Sequence, residues 1–342
     1  MVKKQKVKQV LKFKGSLSLI LLILLFLSEG CSQGERFYRR TFISLGTFVE
    51  VTSPYKEATS LVFSTFKELE NIFNIYDKNS QLSKVNRNAG IRAVKIGEEL
   101  IEVIKLAKDL YRITEGVFDP SIGKAILFWK EKISKKDVSE VSSQKIEELN
   151  KLKGLNYVKI NEEKGTVFIE KEGIVLDLGG LAKGYIIDKA VEALRKNNID
   201  SALINAGGDI YCLGRRFNKP WRIGIRNPKA LSEIIDTLEI ENEAIATSGD
   251  YEQFFEYKGR KISHIIDPRN CLPVEGNLRS VTVVAHNATT ADGLATAFFV
   301  MGKDGVLKFL EKNPSNIKIF LIEEEKDKLH IHYLVPLFKG GI

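Results

Sequence analysis

The chain has 342 residues, 44% of them hydrophobic and 28% charged, a composition that excludes a disordered, collagen-like or multi-span membrane protein. Lys and Arg number 52 against 44 Asp and Glu, a net charge of +8, yet residues 1–30 hold six lysines and one acid and so carry five of those charges. The remainder is spread over the rest of the chain and draws no phosphate-tracking stripe, so nucleic acid is not an expected partner.

The basic front end reads as an address. Lysines up to Lys14 precede the apolar run Leu17–Leu27, which is far short of the about 20 residues a bilayer-crossing helix needs. A charged segment followed by a short apolar one is a signal peptide. The following Leu27-Ser28-Glu29-Gly30-Cys31 resembles a bacterial lipoprotein cleavage box, with Cys31 as the lipidated residue, although Glu29 replaces the small or aliphatic residue usual there. The expected organisation is a signal peptide over 1–30, a polar tether over 31–40 and a single domain over 41–340. The mature protein is then lipid-anchored at a bacterial cell membrane, facing the periplasm or the exterior. An uncleaved anchor with an incidental Cys31 is the competing reading, and it also puts the domain outside the cytoplasm. Only Cys212 and Cys271 remain, with no C-x-x-C pair, so no zinc or redox motif is expected. A disulfide between them and two isolated thiols both stay open.

Along the domain, Thr41–Val51 has strand character and Tyr55–Ile75 places apolar residues at helical spacing. A polar loop spans Tyr76–Asn86. Ile96–Thr114 reads as a second amphipathic helix stopped by Gly116, and Ser134–Lys153 as a solvated helical excursion. Short β-type runs at Tyr157–Ile160, Thr166–Ile169 and Ile174–Leu176 lead to a helix over Leu181–Lys196 and a strand over Ser201–Asn205. Further strands are expected near Trp221–Ile225 and Thr237–Ile240, with a hairpin made by Glu252–Tyr257 and Lys261–Ile266. Ser280–Ala285 is a strand, Thr289–Met301 a helix closed by Gly302, and Ile317–Glu323 with Lys328–Leu334 a terminal strand pair. Helices and strands do not alternate regularly, so the expected class is α+β, a mixed sheet with helices packed on it.

Three segments put glycines and polar side chains where a strand ends. In Asp177-Leu178-Gly179-Gly180-Leu181-Ala182-Lys183-Gly184-Tyr185 a strand runs into a helix through a glycine pair. Unpaired N–H groups, the positive helix end and Lys183 suit a phosphate there, and a purely structural turn is the alternative. Asn205-Ala206-Gly207-Gly208-Asp209 repeats the strand and glycine pair, as a ligand approach or as a tight turn. In Ala291-Asp292-Gly293-Leu294-Ala295-Thr296, Asp292 and Thr296 stand four apart on one helix face. Their hard oxygen donors suit Mg²⁺, unless Thr296 back-bonds to its own helix. A hydroxyl-rich turn at Ala246–Tyr251 precedes the hairpin, and His264 stands near the end of its second strand, as a general base or as a structural histidine. His286, His330 and His332 read as structural.

Taken together these landmarks resemble the FAD:protein FMN transferase (ApbE-like) family. Leu45-Gly46-Thr47, Phe73–Asp77 with Ser80–Ser83 and Asn86, Thr114–Gly123, Asp177–Tyr185, Asn205–Asp209, Ala246–Tyr251, His264–Pro268 and Ala291–Thr296 follow in family order over nearly the whole mature chain. The resemblance implies an ApbE-like, T-fold-like domain that takes FAD as substrate with Mg²⁺. It implies transfer of FMN to a Thr or Ser hydroxyl of an acceptor flavoprotein subunit, with release of AMP. By matching positions, Asp292, Thr296 and a carbonyl of the glycine turn, Gly180, are implied metal ligands. Leu45, Tyr76, Val117, Phe118, Asp119, Asp177, Lys183, His264 and Ile266 are implied to line the nucleotide, and His264 with Asp292 to be catalytic. An FAD pyrophosphatase releasing FMN and AMP, and a non-catalytic flavin-binding lipoprotein, are the alternatives. The chain departs from the family at Asn270-Cys271, where Thr-Gly is usual, and at Leu45, where Met is more frequent.

Overall fold

A computed structural model describes residues 36–335, apart from 136, 138, 251–253 and 258–259. The leader, Cys31 and Tyr251 lie outside the described residues, and among those described no helix is long and apolar enough to cross a membrane.

Eight strands form one antiparallel sheet in the order β1-β2-β6-β7-β10-β15-β16-β17: Tyr38–Ser44, Thr47–Ser53, Ala202–Ala206, Asp209–Leu213, Glu243–Gly249, Leu278–Ala285, Lys318–Glu325 and Lys328–Leu334. Smaller sheets pair β3 (Val94–Lys95), β5 (Thr166–Ile169) and β4 (Val158–Asn161), then β8 (Trp221–Asn227) with β9 (Ala230–Ile240), β11 (Phe254–Tyr257) with β12 (Arg260–Ser263), and β13 (Ile266–Asp267) with β14 (Leu272–Pro273). The helices are α1 (Lys56–Phe73), α2 (Gln81–Arg87), α3 (Glu98–Ile113), α4 (Gly123–Ser134), α5 (Ser143–Lys151), α6 (Ala182–Lys196) and α7 (Ala288–Lys312). One face of the sheet supplies Val49, Val51, Ile204, Ala246, Val281, Val283, Ile319 and Leu321 to a core closed by the apolar stripes of α1, α6 and α7. The α+β expectation holds: strands come in hairpins and the helices gather on the sheet.

Several differences have plain causes. Thr41–Val51 is two strands, because Leu45 (φ 50°) and Gly46 (φ 73°) make a two-residue type I′ turn. Strand β1 starts at Tyr38, inside the expected tether. The polar loop contains α2, whose N-cap Ser80 accepts a hydrogen bond from Ser83 N at 3.0 Å. The expected excursion Ser134–Lys153 contains α5 alone; with α4 just before it, it makes an α4–α5 excursion packed on a second small core of Ile122, Ala125, Trp129, Leu149, Ile266 and Cys271. Ile174–Leu176 is no ladder strand: one parallel bridge joins Val175 to Ile122, and the Asn86 amide satisfies both backbone groups of Leu176 at 2.8 and 2.9 Å. The expected turn Ala246–Tyr251 belongs mostly to β10, held between β7 and β15. Helix α7 breaks at Gly302 (φ 69°) but resumes to Lys312. Cys212 and Cys271 are both buried free thiols.

Candidate active site

Helices α6 and α7 cross at Gly184, where an added Cβ would sit 2.3 Å from the Ala288 carbonyl oxygen, so only glycine permits the approach. The crossing is fixed by Asp188 of α6, whose carboxylate accepts from Ala288 N (2.7 Å), Thr289 N (2.8 Å) and the Thr289 hydroxyl (2.5 Å), capping the start of α7. Burial pushes the Asp188 carboxyl up, and these three bonds oppose the rise.

One turn into α7 stands Asp292, almost fully buried. Its Oδ2 accepts from Gly184 N at 3.0 Å, and its Oδ1 lies 3.8 Å from the Lys183 ammonium. Lys183 also pairs with Asp209, which is buried at the start of β7. The cation therefore sits between two carboxylates, one from the second glycine-rich segment and one from α7. Burial pushes the Asp292 carboxyl above its ordinary range, against the pull of Lys183 and of the Gly184 N–H.

Thr296 follows one turn later. Its hydroxyl is 3.4 Å from the Ser248 hydroxyl on β10. A methyl group placed on Gly180 would lie 3.3 Å from both Thr296 Oγ1 and Phe118 Cε2, which puts the glycine turn directly against this hydroxyl and ring. Asp177 holds the turn, accepting from Gly179 N at 2.8 Å while its own N–H donates to the Pro120 carbonyl at 2.8 Å. One expectation changes here: the N–H groups of Gly179, Leu181, Ala182 and Gly184 all have protein acceptors, so a bare-amide phosphate cradle is largely spent. Positive charge at the turn comes from Lys183 instead.

The structure thus brings together Gly180, Lys183, Asp292, Thr296, Phe118 and, through the turn, Asp177. Asp119, buried beside Phe118, accepts from Ser121 N at 2.8 Å, and burial raises its carboxyl above the usual range. Val117 is half-buried on the same segment. The Leu45 turn reaches the cluster through Thr47, whose hydroxyl crowds the Cβ position of Gly207, two residues from Asp209. Leu45 is kept in its left-handed conformation by Glu70 of α1, which accepts from Leu45 N and from the Ser44 hydroxyl, each at 3.0 Å. Tyr76 stands apart and exposed, its hydroxyl 3.2 Å from the Lys130 ammonium. His264 is half-buried on the link from β12 to β13. Ile266 spends its side chain in the second core.

Asp209, Ser248 and Glu70 were not among the expected site residues. Asp209 and Ser248 had visible signals, an acid directly after a glycine pair at a strand end and a place in the hydroxyl-rich stretch Ala246–Tyr251; Glu70 had none, because its partners are remote in sequence. Among the described residues no three His, Cys, Asp or Glu side chains gather as a metal cage. A cleft of about 990 Å³ lined by Tyr55, Arg195, Asp200 and Arg215 lies elsewhere and shares no residue with the cluster.

Comparison with known proteins finds relatives over most of the chain. The ApbE family pattern matches residues 45–321. The FAD:protein FMN transferase of Haemophilus influenzae is 30% identical over 278 residues, 80% of each chain, and that of Treponema pallidum 28% over 315 residues, 85% of this chain and 86% of the other. The crystal structure of the ApbE protein of Thermotoga maritima superposes with a TM-score of 0.77 at 32% identity, covering 87% of this chain and 96% of that one. A histidine-to-glycine mutant of the flavin transferase ApbE from Vibrio cholerae gives 0.78 at 26% identity, covering 87% and 97%.

Proposed function

The chain belongs to the ApbE family, and on that footing we propose that it is a flavin transferase that cleaves FAD and attaches FMN as a phosphoester to a Thr or Ser hydroxyl of an acceptor flavoprotein subunit, releasing AMP. The observation that carries this reading is the pair of buried carboxylates, Asp209 and Asp292, on the half-buried Lys183 beside Thr296 and Gly180. Burying two carboxylates against one partly exposed cation is costly packing for a core. It suits a site that handles a diphosphate.

The oxygen donors of Asp292, Thr296 and the Gly180 carbonyl fit a hard divalent cation that keeps its other positions for water and phosphate. Those three would hold Mg²⁺, which when bound supplies Lewis-acid neutralisation of diphosphate charge. In the reaction, the acceptor oxygen bonds to the FMN-side phosphorus, the bond from that phosphorus to the bridging oxygen breaks, and the bridging oxygen leaves with its electron pair on AMP. Lys183 adds a fixed positive charge beside the linkage. A neutral hydroxyl is a weak nucleophile, so His264 takes its proton. Leu45, Val117, Phe118, Asp119 and Asp177 form the walls and supports of the nucleotide site on this reading, while Tyr76, exposed and apart, and Ile266, packed in the second core, do not line it directly. The same reading anchors the protein through Cys31 to a bacterial membrane, facing the periplasm or the exterior; its support is the basic, apolar leader.

The test is incubation of the purified protein with FAD, Mg²⁺ and a flavoprotein subunit lacking its flavin. Fluorescent flavin retained on the denatured subunit is expected. Free FMN with AMP would mark a hydrolase instead, and unchanged FAD a passive binder.

A further inference from the structure

The link that carries His264 runs on into a turn with a strained residue. Cys271 has φ 60°, the left-handed region that a residue with a Cβ avoids. Its thiol is fully buried, and its N–H donates to the Asp267 carbonyl at 2.8 Å. Such a conformation persists only where its surroundings over-determine it. Here the surroundings come from one remote piece of chain, the α4–α5 excursion. The Trp129 indole N–H donates to the Cys271 carbonyl at 2.8 Å, and the Asn150 amide donates to the Asn270 carbonyl at 2.9 Å. The Lys153 ammonium donates to the Pro268 carbonyl and to the Arg269 carbonyl at 3.3 Å, and is itself held by Asn150 Oδ1 at 2.8 Å. Four consecutive carbonyls, 268 to 271, are therefore taken by three side chains of a single excursion. The second core closes beneath them, with Ile266 and Cys271 packed on Trp129, Ala125 and Ile122.

Carbonyls of an exposed turn can be satisfied by water, so four fixed donors serve shape rather than solvation. Ile266 is two residues from His264. Pinning the turn pins the histidine. From this geometry we infer that Trp129, Asn150 and Lys153 are positioning residues which clamp the 266–271 turn and so set the place of His264 for proton transfer. The excursion also contacts the far side of the site: Ile122 follows the Asp119-Pro120 segment whose carbonyl receives Asp177 N. One packed unit thus supports both the histidine and the glycine turn.

The inference rests on the transferase reading for the role of His264, and the test keeps the two separate. Amide hydrogen exchange over 264–271, AMP release from FAD with Mg²⁺ and a flavin-free acceptor subunit, and FAD affinity by flavin fluorescence are measured for the full chain and for Trp129→Phe and Asn150→Ala. Trp129→Phe removes one donor to the turn, Asn150→Ala removes one donor and the acceptor that holds Lys153, and both leave the proposed metal ligands in place. Loss of one such bond is expected to speed exchange of the turn about tenfold and to lower AMP release at saturating FAD by a similar factor, with FAD affinity changed less than about threefold. Adding Cys271→Gly, which removes the strain the clamp opposes, is expected to restore most of the loss in either background. Unchanged exchange in both variants overturns the clamp, as does parallel loss of FAD affinity and AMP release, or failure of Cys271→Gly to restore either variant. If the unaltered protein releases no AMP with the acceptor subunit present, the transferase reading falls, while the exchange measurements still decide whether the excursion holds the turn.

Discussion

The backbone N–H of Gly184 donates to the carboxylate of Asp292 at 3.0 Å, joining the first turn of α6 to the first turns of α7 across 108 positions of sequence. The bond gives the buried carboxylate a fixed direction and leaves its other oxygen toward Lys183. Asp292→Asn keeps an acceptor for Gly184 and loses the charge. The expected outcome is a folded protein whose Mg²⁺-dependent AMP release drops at least about a hundredfold. Steady-state kinetics across a magnesium titration, beside thermal unfolding, checks it; full activity in the variant would remove the metal assignment.

Gly184→Ala tests the crossing itself. The new methyl group meets backbone on α7, 2.3 Å from the Ala288 oxygen and 2.8 Å from Thr289 Cα, and backbone cannot swing aside. Overpacking of this kind costs about 2–3 kcal/mol. A fall in thermal midpoint is expected together with loss of activity, since separating the helices parts Lys183 from Asp292. A variant as stable and active as the parent would mean that the two helices slide freely.

Glu70→Ala addresses the hairpin that presents Leu45. The carboxylate accepts from the Leu45 N–H and the Ser44 hydroxyl, and without it the left-handed turn loses its two side-chain bonds to α1. A stability loss of about 1–3 kcal/mol is expected, with FAD affinity reduced about tenfold and turnover at saturation less affected. Fluorescence titration with FAD separates the two effects.

How far the sequence carried the reading depends on whether a signal was local. Helices α1, α3, α6 and α7 and the strands around Ala202–Ala206 and Leu278–Ala285 were legible because apolar period and end signals lie within each segment. Strand β10 was not. Its small and hydroxyl residues resemble a turn, but they pair with β15, with the Thr247 hydroxyl 2.8 Å from Thr282 and the Ser248 hydroxyl 3.4 Å from Thr296 of α7. Both partners are distant in sequence, so only the fold explains the hydroxyls. For the same reason Lys183 and Asp292 could be named as single residues, while the pairing of Lys183 with Asp209 depends on how the two glycine-rich segments meet.

His264→Ala is expected to leave FAD affinity within about threefold and to lower flavin transfer by a factor of about 10² to 10⁴, the range a general base supplies. Added imidazole should recover part of the rate, because the cavity left by the side chain admits it. Retained transfer in the variant would return His264 to a packing role.

Acid sensitivity follows from a network behind α6. The buried Tyr185 hydroxyl donates to Glu102 of α3 at 2.6 Å, and Lys189 lies 3.1 Å from the same carboxylate. Burial alone would raise the Glu102 carboxyl, but the Tyr185 and Lys189 bonds outweigh it and hold the group below its ordinary value of 4.5. A carboxylate depressed in the folded state adds stability above its unfolded value, and that stability is lost as pH falls through the folded one. Because the side chain is half-exposed, solvent screening limits the gain to about 0.5–1 kcal/mol. Glu102→Gln should therefore be slightly less stable than the parent at neutral pH and converge with it in acid, where the parent's carboxylate is protonated. Urea unfolding at a series of pH values checks this, and a difference that stays constant into acid would show that Glu102 acts through packing rather than charge.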